Sequence, residues 1–115
     1  MATNFSKKDM IKLQNLLRKS KKTITTAESC TGGLVASLIT KISGSSDIFN
    51  GSIVTYSNSI KNKELGVLNE SLDKFGAVSK QVVFEMLDGV LKKFEADFAI
   101  AISGVAGPNG GTKKK

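Results

Sequence analysis

The 115-residue sequence contains no histidine. Ser-His-Asp and Cys-His catalysis are therefore excluded within one subunit, and histidine metal ligands are excluded with them. Its single cysteine, Cys30, cannot form an internal disulfide. Apolar residues fall in short runs, so no membrane span is expected, and the start "MATNFSKKDM" lacks the apolar stretch of a secretory signal. A cytoplasmic protein is expected. Arginine is scarce as well: Arg18 is the one basic residue of 17 that is not lysine. The net charge of +7 gathers in "SKKDMIKLQNLLRKSKK" and the terminal "KKK". A reader of phosphate backbones would show arginine and interleaved aromatics, so a solvated surface is expected here rather than nucleic-acid binding.

What remains is ordinary for one soluble domain over residues 1–115, with 40% apolar and 23% charged residues. Met10, Ile11, Leu13, Leu16 and Leu17 keep helical spacing over about residues 6–20, with Ser6 and Asp9 placed as an N-cap pair. "TITTAES" offers a β-branched strand, and "GGLVASLITKI" follows as a helix with Leu34, Leu38 and Ile42 on one side. "SGSSDIFNG" is turn chemistry leading into a second strand, "GSIVTYS". A short helical stretch over residues 61–65 precedes a loop-like "GVLNESLDKFGA". Ser79 then caps the strongest helix, with Val82, Val83, Met86, Leu87, Val90, Leu91 and Phe94 on its apolar side. "ADFAIAISG" is the third strand, and it runs into "GVAGPNGGT", which holds the only proline.

This alternation is that of an α/β sheet covered by helices, in which ligands bind beyond the carboxyl ends of the strands. Three loops matter on that ground: residues 28–33, 56–61 and 103–111. Without histidine, a serine nucleophile needs lysine, tyrosine or a carboxylate as its base. Ser29 sits at the strand-to-helix joint, where the N–H groups of Thr31, Gly32 and Gly33 are left over by the helix. Two readings stay open there: a nucleophile beside an oxyanion hole, or a helix cap with glycines for close packing. Cys30 is a rival nucleophile or a small packed residue, and Glu28 is better suited to orienting donors than to acting as a base. Tyr56 and Lys61 follow the second strand, where a turn can bring both back over the cleft. "SLDK" and "YSN" imitate the motifs of penicillin-recognising enzymes, but their order is reversed and no K-T-G follows. "GVAGPNGG" suits either a phosphate cradle or a plain turn.

Taken together, "AESCTGGLVASLIT", "SGSSDIFNGSIVTYSNSIKNKELGV", "GAVSKQVVFEM" and "DFAIAISGVAGPNGGT" resemble the CinA C-terminal domain family, the nicotinamide mononucleotide amidohydrolases. The resemblance implies a three-layer α/β/α sandwich that hydrolyses the carboxamide of nicotinamide mononucleotide to nicotinate mononucleotide and ammonia. It implies no metal and no organic cofactor, a small-molecule substrate, and a homo-oligomer. It places the catalytic serine on Ser29 and the tyrosine and lysine on Tyr56 and Lys61. Glu28, Cys30, Thr31, Gly32, Gly33, Ser103, Gly104 and Gly107 would line the oxyanion and substrate site. Where the family commonly has threonine before the glycine of its G-x-A-G-P motif, this chain has Ser103. Family members continue past "GGT" into a further strand and helix, so a sandwich lacking both is expected. The alternative function is then a catalytically inactive nucleotide-binding or regulatory module.

Overall fold

Five consecutive buried residues, Ile24–Glu28, form the central strand β1. The computed structural model describes residues 5–104 of the chain. Two parallel neighbours flank β1: β2 at Ile53–Val54 and β3 at Phe98–Ile102, giving the order β2-β1-β3. Ala27 pairs with Ile53 and Glu28 with Val54 on one side, while Ile24 to Glu28 pair in register with Phe98 to Ile102 on the other.

Strand periodicity sends alternate β1 side chains to opposite layers. Ile24 joins Met10 and Leu17 of α1 (Lys7–Ser20), Ile39 of α2 (Leu34–Thr40), and Ile48 in one apolar cluster. Ala27 faces the other layer and packs with Leu65 of α3 (Asn58–Leu65), Leu72 of α4 (Asn69–Phe75), and Val82, Met86 and Val90 of α5 (Lys80–Phe94). This is the three-layer α/β/α sandwich. The connection from β1 to β2 runs through α2, and the connection from β2 to β3 runs back through α3, α4 and α5. The two connections therefore leave the carboxyl ends of adjacent strands toward opposite layers. That divergence opens a crevice between the ends of β1 and β2, where doubly wound sheets bind their ligands.

Local chemistry sets the element ends. Ser6 and Asp9 close a reciprocal capping box on α1, and Ser57 and Ser79 cap α3 and α5 through their side chains. Arg18 donates to Asp47 and to the Gly44 carbonyl, tying the end of α1 to a single 3-10 turn at Ser45–Asp47. The loop-like reading of "GVLNESLDKFGA" is corrected by α4. Its N-cap, Leu68, has no capping side chain, but Glu85 of α5 accepts hydrogen bonds from the Leu68 N–H at 2.8 Å and the Ser71 hydroxyl at 2.6 Å. The helix start is thus completed from another element. Ser71 of "SLDK" is taken up by that contact, and Lys74 lies over the Phe75 ring. The short helix also starts earlier than residue 61, at Asn58, because Ser57 supplies the cap.

α3 and α5 touch backbone to side at Gly89. A Cβ there would overlap the Leu65 carbonyl and stand 2.9 Å from the Leu65 Cα. Gly89→Ala is expected to lower stability by about 2 kcal/mol in urea unfolding, because the overlap outweighs the roughly 1 kcal/mol gained in helix propensity. An unchanged or higher midpoint would mean that the two helices separate freely.

Candidate active site

The turn after β1 is built around a carboxylate. Glu28 is fully buried, and its oxygens accept from Thr26 Oγ1 at 3.0 Å, Thr31 Oγ1 at 2.7 Å, Val35 N at 2.9 Å and Ala36 N at 2.8 Å. Val35 and Ala36 stand in the first turn of α2, whose N-cap, Gly33, offers no side chain. Glu28 therefore does the capping from the preceding strand, where a negative charge also suits the helix dipole. Burial by itself raises its pKa; the hydrogen bonds from Thr31, Val35, Ala36 and Thr26 outweigh that and hold it below the ordinary value of 4.5. Glu28 thus holds donors of its own strand, of the turn and of α2 in place.

Between Glu28 and α2 the chain turns through Gly32 at φ 63° and Gly33 at φ 102°, left-handed values that suit glycine. The Gly32 N–H donates to the Ser29 carbonyl at 3.0 Å. That hydrogen bond closes the turn. Among the described residues, the N–H groups of Cys30, Thr31 and Gly33 donate to no acceptor. The Thr31 side chain is committed to Glu28.

Ser29 is 6% exposed and its N–H donates to the Ile102 carbonyl at 3.0 Å, which fixes it to the end of β3. It continues the alternation of Thr25 and Ala27, so its side chain is on the α5 side of the sheet. There it meets Lys61 of α3. Lys61 is 2% exposed, and its Nζ lies 3.2 Å from Ser29 Oγ and 2.9 Å from the Thr55 carbonyl. A carbonyl can only accept, so one Nζ hydrogen is directed to Thr55; in the neutral amine, the lone pair can then face the serine. Serine and lysine 32 positions apart are joined by the fold alone.

Tyr56 follows Thr55 in the chain and is 67% exposed, and no hydrogen bond joins it to Ser29. Ser103 Oγ donates to the Ala77 carbonyl at 2.7 Å, so its hydroxyl ties the end of β3 to the segment before α5. Gly104 leaves room for the Cys30 thiol: a Cβ there would lie 3.1 Å from Sγ. Gly107 is outside the described residues. Thr55 was not among the residues expected at the site, although its carbonyl holds Lys61 and its side chain is fully buried. In sequence it reads only as a strand former.

Residues 7–115 match the family model of the CinA C-terminal domain. The chain belongs to the CinA C-terminal domain family. It is 61% identical over 99 residues to a CinA-like protein of Prochlorococcus marinus (strain MIT 9312), covering 86% of this chain and 23% of that protein. A CinA-like protein of Endomicrobium trichonymphae is 58% identical over 100 residues, covering 87% and 23%. The chain thus spans about a quarter of the length of the curated relatives it matches. Among solved structures, the competence/damage inducible protein CihA from Agrobacterium tumefaciens superimposes with a TM-score of 0.90 at 39% identity, covering 100% of this chain and 70% of that one. A competence-damaged protein (CinA) superfamily protein from Escherichia coli gives 0.89 at 35% identity, covering 96% and 65%. Among the described residues of this CinA domain, no helix is long and apolar enough to cross a membrane, and no group of three or more His, Cys, Asp or Glu residues could hold a metal ion.

The Glu28 network gives a pH prediction. Its folded-state pKa lies below that of the unfolded chain, so its contribution to stability is complete above about pH 4.5 and is lost as pH falls through the lower, folded value. Glu28→Gln is expected to cost about 3 kcal/mol at neutral pH, because an amide group turns a donor toward donors, and to flatten the acid side of the stability curve. Chemical unfolding of both proteins between pH 3 and 7 checks this. An equally steep acid limb in the variant would assign that limb to other carboxylates.

Proposed function

We propose that this CinA domain is an amidohydrolase of the Ser-Lys type, hydrolysing the carboxamide of nicotinamide mononucleotide to nicotinate mononucleotide and ammonia. The observation that carries the reading is the buried contact of 3.2 Å between Lys61 Nζ and Ser29 Oγ at the carboxyl end of β1. A lysine removed from water is disfavoured as an ammonium and favoured as an amine, which suits a general base. The family resemblance supplies the substrate.

In this mechanism Lys61 takes the hydroxyl proton of Ser29 as Oγ bonds to the carboxamide carbon. The oxyanion of the tetrahedral intermediate accepts from the open N–H groups of the turn, those of Cys30, Thr31 and Gly33. Each such donor is commonly worth about 3 kcal/mol in the transition state. The C–N bond then breaks, Lys61 returns the proton to the departing nitrogen, and ammonia leaves an ester on Ser29. Water hydrolyses that ester with Lys61 again as base. Direct contact makes a relay through Tyr56 unnecessary, so the exposed Tyr56 is assigned to substrate contact in this reading.

Ammonia release from nicotinamide mononucleotide tests the reading. Ser29→Ala is expected to lower turnover by about 10⁴-fold while substrate binding persists, and Lys61→Met to remove turnover together with the alkaline rise in the pH profile. Cys30→Ala should be mild. Loss of turnover on Cys30→Ala with retention in Ser29→Ala would transfer the nucleophile to the thiol. Binding of the nucleotide without any ammonia release would favour the nucleotide-binding or regulatory module instead.

A further inference from the structure

β3 reads Phe98, Ala99, Ile100, Ala101, Ile102, with no charged residue and no proline. It pairs with β1 in unbroken register along its whole length, so it carries no bulge. Among the described residues, no strand pairs with its other side. Charges, prolines and bulges are the usual devices that keep an edge strand from pairing with another chain, and this edge has none of them. The Phe98 N–H donates to the Thr23 carbonyl at 3.0 Å, and the Ile102 carbonyl accepts from the Ser29 N–H at 3.0 Å. The backbone groups of Phe98, Ile100 and Ile102 are thus turned to β1, and those of Ala99 and Ala101 to the outer edge. Side chains alternate in the same way. Ala99 and Ala101 pack on the α5 side, whereas Phe98 and Ile100, on the α1–α2 side, stay 52% and 38% exposed. The exposed Phe5 and Leu38 line a cavity of about 230 Å³ together with Ile100, so the apolar surface runs on from the strand to both helices.

We propose that this edge is the seam of a twofold dimer, in which β3 of a second copy of this chain pairs antiparallel with β3. The strand suits itself as a partner, because its sequence reads almost the same in both directions about Ile100. With the twofold axis at Ile100, Ala99 stands opposite Ala101 of the second copy, Phe98 opposite Ile102, and Ile100 opposite its own equivalent. No other axis pairs the whole strand. The outward-turned groups of Ala99 and Ala101 then meet as hydrogen-bonded pairs, each exchanging both its bonds, and Ile100 falls at the pair without hydrogen bonds between them, as an antiparallel ladder requires. Opposed residues of such a ladder point to one face. Phe98, Ile100 and Ile102 of both copies therefore make a single apolar row on the α1–α2 side, next to Phe5 and Leu38, and cover one another from water. The two sheets become one, in the order β2-β1-β3-β3-β1-β2. Main-chain bonds set the register, the apolar row adds affinity, and an interface of this symmetry closes at two copies.

Disulfide trapping reads this register directly. In a Cys30→Ala background, Ile100→Cys sets two thiols across a pair whose Cα atoms are about 4.5 Å apart, within the roughly 4.4 to 6.8 Å that a disulfide spans. Phe98→Cys sets its two thiols toward opposite ends of the seam, about 14 Å apart. Sedimentation of the unmodified chain is expected to give twice the chain mass, falling toward the monomer on dilution. Mild oxidation should cross-link Ile100→Cys at least about ten-fold more than Phe98→Cys. Phe98→Lys, at a half-exposed position, should keep the far-ultraviolet circular dichroism of the fold and sediment as a monomer, because each lysine would stand against Ile102 of the other copy. A dimer that survives Phe98→Lys, equal cross-linking of the two cysteine variants, or larger assemblies without the preferred Ile100→Cys link would each overturn the proposal. A monomeric unmodified chain would overturn it too, and would leave the edge to a strand of another protein.

Discussion

A buried carboxylate holds the functional end of this sheet in shape. Glu28 closes the last position of β1, and its four donors come from its own strand, the following turn and the first turn of α2. An unpaired carboxylate at that depth would be strongly unfavourable, so the donors and the charge require one another. The result is a rigid joint on which Ser29 has little freedom. The two glycines then let the chain reverse over a very short length, in the turn that follows Ser29 and carries the three open N–H groups.

The opposite layer contributes independently. α3 begins at a serine cap immediately after β2 and brings Lys61 to the far side of β1 from the Glu28 network. Neither charged residue is accounted for by packing. Glu28 is satisfied within the α2 layer, and Lys61 reaches through the α5 layer to the end of the strand. The contact of Lys61 Nζ with the Ser29 hydroxyl, next to a turn with open N–H groups, is what the proposed Ser-Lys reading rests on.

Much of this was legible in the sequence wherever the determinants are local. Ser6 with Asp9, Ser79, the β-branched run after Thr23 and the apolar spacing of Val82, Met86 and Val90 each announce an element whose limits lie within a residue or two of those found. Glu28 was legible as an orienting group because a carboxylate just before a helix suits the helix dipole. The remainder depends on partners far away in the chain. α4 is completed by Glu85, Ser103 is held by Ala77, and the Gly32 N–H is consumed by a turn whose form no single residue dictates. Thr55 was overlooked for the same reason: its carbonyl meets Lys61 only through the fold, and threonine in a strand carries no mark of that.

The close approach of Gly89 to Leu65 can be viewed as a dimensional tolerance. Lys61 lies one turn before Leu65, so the position of its nitrogen is referenced to the sheet through very few links: the β1–β2 ladder, the Ser57 cap and the seat of α3 on α5. A glycine at that seat sets a minimum clearance between the helices, and any larger side chain would act as a shim. Shifting the lysine by even an ångström would open the contact to Ser29. The spacing of Lys61 from Ser29 is thus determined partly by an absent side chain on a neighbouring helix.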